Sequence, residues 1–121
     1  MVDAGEGCEL QLTDIEVFVT GVYDAWLRRL RRRDPQAARR IHVRIDRLIR
    51  GNPGDSAPIG GGLSELRLHF GPGYRVYYWQ KGQRLIIVLC GGEKTTQSSD
   101  IYRAHELAKD WKDDGDEVQE V

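Results

Sequence analysis

Apolar and polar positions alternate most cleanly between Glu65 and Trp79. Leu66, Leu68 and Phe70 interleave with Glu65, Arg67 and His69, and Val76 and Tyr78 interleave with Arg75, Tyr77 and Trp79. Two runs of period two separated by Gly71-Pro72-Gly73 predict an antiparallel hairpin. A two-residue loop would pair Leu68 with Arg75 and mix the faces. A three-residue loop pairs Leu68 with Val76 and Leu66 with Tyr78, which keeps the apolar side whole and leaves Tyr74 and Tyr78 to the core. On the other face this register sets His69 against Arg75, Arg67 against Tyr77 and Glu65 against Trp79. A turn at Gly82-Gln83 leads into RLIIVLCGG, apolar at nearly every position and expected as a central strand covered on both sides. With a two-residue turn there, Cys90 falls opposite Arg75, and the GGEKTTQ that follows brings Lys94 and Gln97 to the same patch.

Elsewhere the period is helical. Glu9 to Leu12 is a short strand candidate, and TDIE offers a capping box in which Thr13 caps a first helix and Glu16 stands three residues on. Ile15, Phe18, Val19, Val22, Tyr23, Trp26 and Leu30 then form one stripe. Asp34-Pro35 opens a second helix with Ala38, Ile41, Ile45, Leu48 and Ile49 inward, and RGNPGD stops it. Gly60-Gly61-Gly62 lacks the Lys-Ser/Thr ending of a phosphate loop and reads as a flexible entry to the hairpin. A last helix spans about Ser98 to Lys112, with Ile101, Ala104, Leu107, Ala108 and Trp111 inward. The expected order is β-α-α-β-β-β-α, an α+β fold.

Composition narrows the class. With 121 residues, 40% of them hydrophobic, the chain fits one domain over residues 1–121, with a core from about 9 to 112 and an acidic tail beyond. No apolar run approaches membrane length and the first residues lack a secretory pattern, so a soluble cytoplasmic protein is expected. Cys8 and Cys90 match no metal or redox spacing and read as reduced thiols, and no metal site is expected. The net charge of -1 hides an asymmetry. Trp26 to Arg50 carries ten arginines against Asp34 and Asp46, whereas Asp100 to Val121 carries eight acidic residues against Arg103, Lys109 and Lys112. Arginine without lysine on adjacent helices suits bidentate phosphate contact, with Arg40, Arg44 and Arg47 as candidates, though a solvated helix face has the same composition.

Three stretches, GNPGD, ELRLHFGPGYRVYY and LCGGEKTTQSSDI, together resemble the RelE/ParE/HigB superfamily of bacterial toxins from toxin-antitoxin pairs. The likeness covers roughly Leu10 to Trp111 and is closest to the HigB-like branch of phage-derived addiction-module killer proteins. It implies a RelE-like domain with two N-terminal helices packed on a small antiparallel sheet, a neighbouring helix-turn-helix antitoxin, and ribosome-dependent cleavage of mRNA without metal or cofactor. DNA would be reached only through the antitoxin complex. The resemblance places Arg67, Arg75 and Lys94 at basic active-site positions and Tyr102 like a tyrosine in the last helix of RelE. Glu65 stands where RelE has a basic residue.

The residue types suit such chemistry. Cleavage of RNA without metal needs a base for the ribose 2′-OH, cations for the phosphorane and an acid for the leaving 5′-oxygen. Arg67 and Arg75 would clamp the phosphate with Lys94 adding charge. His69 would act as base or acid, and Glu65 is a competing base. Tyr77, flanked by arginines, would have its phenolate favoured or stack on a base, and Gln97 would contact substrate. A surface ion-pair cluster of Arg67 and Arg75 with Glu65 is the alternative to that reading, and His42 and His105 read as structural. Two other functions fit the same likeness: a ParE-like binder of DNA gyrase, and an inactive relative that binds RNA or antitoxin.

Overall fold

The computed structural model describes residues 15–113. The expected strand at Glu9 to Leu12, the Thr13 cap and the acidic tail lie outside the described residues. The order observed is β1 (Glu16–Val19), α1 (Gly21–Arg33), α2 (Pro35–Ile49), β2 (Ser56–Gly60), β3 (Leu63–Leu68), β4 (Tyr74–Lys81), β5 (Leu85–Glu93), a short 3-10 turn (Lys94–Thr96) and α3 (Gln97–Asp113). The fold is α+β, but the sheet has five strands in the order β1-β5-β4-β3-β2, and it is mixed, because β1 runs parallel to β5.

Two elements correct the sequence reading. Glu16 to Val19 forms a strand, so the first helix begins at Gly21 and is capped by Thr20, whose hydroxyl accepts from the Tyr23 amide at 3.0 Å. Phe18 therefore belongs to the sheet, where it packs on Trp111 of α3 with ring centroids 5.3 Å apart. Ser56 to Gly60 pairs antiparallel with β3 as an edge strand despite Pro58, a position where a missing N–H is tolerated. Asp34 caps α2 as expected, accepting from the Ala37 amide at 3.1 Å with Pro35 in the first turn.

The hairpin keeps its parity and changes its register. Leu66 faces Val76, Leu68 faces Tyr74 and Arg67 faces Arg75, two residues from the expected pairing, so residues 69 to 73 form a five-residue loop. Gly71 and Gly73 turn it with positive φ. Because the slip is even, each side chain stays on its expected face. Arg67 thus meets Arg75 rather than Tyr77, Glu65 meets Tyr77 rather than Trp79, and His69 lies beyond the ladder. The next turn holds three residues, Gly82 to Arg84, and a bulge at Leu89 shifts the ladder again. Cys90 consequently faces Tyr77, and Gly92 takes the place opposite Arg75.

Helices cover both faces. One core joins Leu27, Leu30, Ile41, Ile45 and Leu48 of α1 and α2 to Leu66, Val76, Tyr78 and Val88 of the sheet. The other joins Ala104 and Ala108 of α3 to Phe18, Leu63, Tyr77, Ile87 and Leu89. The polar hairpin face is therefore not open: α3 crosses it, and only its end beside residues 69 to 73 stays accessible.

Candidate functional site

A charged network starts at the end of β3. Glu65 is 3% exposed. Its carboxylate accepts from Arg67 Nε at 3.0 Å and from the Gln97 amide at 2.9 and 3.2 Å. Both oxygens are thus committed, which makes Glu65 an anchor for Arg67 rather than a free base, and makes Gln97 its support on the first turn of α3. Arg67 turns its NH1 toward Asp55, 3.8 Å away. The other oxygen of Asp55 bonds His69 Nε2. This bond holds the Asp55 carboxyl below the usual carboxylate range, with the charges of His69, Arg67 and Arg44 adding to the effect.

Asp55 is the member that sequence reasoning missed. It ends GNPGD, which read as a helix stop and as one of the stretches carrying the resemblance, with no role given to the aspartate. The loop is held in place by Arg44, which donates to the carbonyls of Pro53 and Asp55 at 3.0 Å and to that of Arg67 at 2.7 Å. The Arg67 amide in turn donates to the Asp55 carbonyl at 2.9 Å. Arg44 thus gives its NH1 and NH2 to backbone carbonyls. Only the pairing of β2 with β3 reveals it: the aspartate directly before β2 falls beside the end of β3.

Arg75 sits next to Arg67 across the ladder and is only 6% exposed. Its guanidinium donates one long bond, 3.3 Å, to the Tyr74 carbonyl, and its Nε has no partner among the described residues. No carboxylate pairs with it among the described residues. Lys94 converges on the same loop. Its amide donates to the Gly73 carbonyl at 2.7 Å, and its Cβ and the Arg75 NH1 flank Gly73. The Lys94 side chain is exposed.

Tyr77 departs from expectation. α3 buries it completely, and its hydroxyl has no partner among the described residues. Burial, then the carboxylates of Glu65 and Asp100, push the phenol well up, outweighing Arg75. The neutral form is favoured, not the phenolate. Tyr102 is 68% exposed on α3, and its polar partner is Glu106, which pushes its phenol up. It does not join the cluster. Arg40 lies over the Phe70 ring at 4.7 Å, on the opposite layer from Tyr102. Arg47 is exposed on the same helix. His105 bonds the Ile59 carbonyl at 3.2 Å and is structural, as expected.

What converges at the hairpin end is a pair of arginines opposite each other on the ladder, Arg67 held by Glu65 and Asp55 and Arg75 buried with no carboxylate partner among the described residues, a lysine, and an imidazole held by a carboxylate. That set can bind an anion and move a proton beside it. Among the described residues no three His, Cys, Asp or Glu side chains come together as a metal site, and no helix is long and apolar enough to cross a membrane.

The model of the family described as phage derived protein Gp49-like (DUF891) matches residues 26–110. An uncharacterized protein of Haemophilus influenzae is 42% identical over 96 residues, which is 79% of this chain and 95% of that protein. The family match covers α1 from Trp26 onward, α2, the hairpin and the glycine pair of β5: the chain belongs to the phage-derived Gp49-like family.

Proposed function

We propose that the chain is the toxin of a toxin-antitoxin pair, a metal-independent endoribonuclease that cuts mRNA on the ribosome in the cytoplasm and is neutralised by a helix-turn-helix antitoxin. The observation that carries this reading is Arg75. A guanidinium withdrawn from water without a counter-charge is costly, and Arg75 stands opposite a second arginine on the ladder and, across Gly73, near a lysine. A phosphate supplies the missing charge and matches the arginine fork.

The proposed steps use these residues as follows. Asp55 accepts from His69 Nε2, which leaves Nδ1 with the lone pair, able to take the proton from the ribose 2′-OH. The 2′-oxygen attacks phosphorus and the bond to the 5′-oxygen breaks, giving a 2′,3′-cyclic phosphate and a 5′-hydroxyl. Arg75 and Arg67 face the charge that grows on the phosphorane oxygens. Lys94 is the exposed acid for the leaving oxygen. Glu65 and Gln97 fix Arg67.

The test is 5′-end mapping of cellular transcripts after brief induction, wild type against Arg75→Ala. Cuts within translated codons that vanish in the variant are expected. Growth arrest with intact transcripts and a raised DNA-damage response would replace this reading with a gyrase-directed one, and unaltered cutting by Arg75→Ala would remove the hairpin end from the chemistry.

A further inference from the structure

A groove of about 340 Å³ lies between α2 and the end of β3, on the sheet layer opposite α3. Its floor is Val43, Leu68 and Phe70, and its rim is Arg39, Arg40 and Arg47. His69 belongs both to this groove and to the cluster at the hairpin end. The rim arginines share one property. Arg50, at the C-cap of the same helix and outside the groove, is paired with Asp46 at 3.1 Å, whereas Arg39, Arg40 and Arg47 have no carboxylate partner among the described residues. Val43 is 42% exposed and lines the groove, a helical valine that the described residues leave open.

We infer that this groove holds one nucleotide of a single RNA strand, next to the phosphate bound by Arg75 and Arg67. The inference rests on the reading of the hairpin end as an RNA-cleaving site. The Arg40 guanidinium lies over the Phe70 ring and presents a flat, charged plane, a surface on which a base stacks. Val43 gives that base an apolar edge. Arg39 and Arg47, two turns apart on α2, flank it as phosphate partners. Continuity favours a strand over an acidic peptide: a chain with its scissile phosphate at Arg75 passes His69 and enters the groove. The aromatic-guanidinium stack suits a base and offers nothing particular to a carboxylate.

The experiment measures binding of a fluorescein-labelled 2′-O-methyl decaribonucleotide, which lacks the attacking hydroxyl and survives intact. The paired variant Arg39→Ala/Arg47→Ala is expected to lower affinity by about tenfold or more and to flatten its salt dependence. The variant Arg29→Ala/Arg32→Ala removes the same charge from α1 and is expected to change affinity less than about threefold. Phe70→Leu keeps an apolar side chain in place and is expected to cost about fivefold. Equal losses from the two arginine pairs would overturn the groove in favour of diffuse attraction. Equal competition by polyglutamate of matched charge would overturn it in favour of an acidic polypeptide. Arg75→Ala in the same assay separates the two proposals: a groove variant that binds normally while Arg75→Ala fails removes the groove and leaves the cleavage site, and the reverse outcome does the opposite.

Discussion

Gly91 and Gly92 close β5 with no room for a side chain on either face. A Cβ on Gly91 would overlap the Trp26 ring of α1, and one on Gly92 would overlap the Asp100 carboxylate of α3. The helices of both layers thus touch the backbone at the strand end that faces Arg75, and this close approach sets how near α3 lies to the site. Gly91→Ala is expected to lower the urea midpoint by the equivalent of about 1–3 kcal/mol, the range for overpacking a tight contact. Gly21→Ala, where a Cβ meets nothing within 4 Å, is expected to be neutral or slightly stabilising. Asp55→Asn probes the site rather than the packing. With its carboxyl held below the usual range by the bond from His69, Asp55 stays charged through neutral pH and loses the contact only as pH falls below the ordinary carboxylate range. The amide variant removes that charge at every pH, and cleavage is expected to fall by about tenfold or more while the urea midpoint of this exposed residue moves little. An unchanged rate would remove Asp55 from the mechanism.

The start of α1 joins three elements through one hydroxyl. Thr20 accepts from the Tyr23 amide and donates to the Leu89 carbonyl at the bulge of β5. Thr20→Ala is therefore expected to cost about 1–2 kcal/mol in urea unfolding, a cap together with a part-buried hydrogen bond, and an effect below about 0.5 kcal/mol would show the cap to be dispensable. This cap also marks where the sequence was ambiguous. Thr13 with Glu16 has the local grammar of a helix start, and Phe18, Val22 and Trp26 continue a helical stripe across a boundary that only the parallel pairing of β1 with β5 defines. Asp34-Pro35 had no such competitor, and α2 begins where its residues say. β2 was hidden by Pro58 and its glycines, because edge pairing depends on β3 rather than on its own pattern. The hairpin faces were legible because parity survives an even slip, and the register was not, because loop length is set by the glycines at 71 and 73. The neighbourhood of Arg67, Arg75, Lys94 and Gln97 was legible for the same reason. The burial of Glu65, Arg75 and Tyr77 was not, since it comes from α3 crossing from a distant part of the chain.

Packing helices on both faces of one sheet traps acidic protons in the molecule's interior, and this gives the whole protein a pH limit on the alkaline side. Burial pushes the Cys90 thiol up from 9.0 to about 12, with Asp100 adding to the effect. It pushes the Tyr23 phenol up from 10.0 to about 12, and it drives Tyr77 in the same direction. Each group is neutral when folded and ionises earlier when unfolded, so each contributes stability that is fully present below its unfolded pKa and is lost as pH rises through the folded value. Between pH 7 and about 9 the unfolding free energy should therefore be flat with respect to these groups. Above about 9 Cys90 alone lowers it by about 1.4 kcal/mol per pH unit, and above about 10 the tyrosines steepen the fall. Urea midpoints at pH 7.5, 9.5 and 10.5 measure this, and Cys90→Ala should flatten the segment just above pH 9 while leaving the steeper fall beyond 10. Alkylation gives a second readout: at pH 8.5 iodoacetamide should leave Cys90 unmodified in the folded protein and label it quickly in urea, as peptide mapping would resolve. A midpoint unchanged from pH 7.5 to 10.5, or rapid labelling of Cys90 without denaturant, would mean that α3 does not seal this face of the sheet, and Arg75, which lies beneath the same cover, would then be a solvated arginine without the unmet charge on which the phosphate site depends.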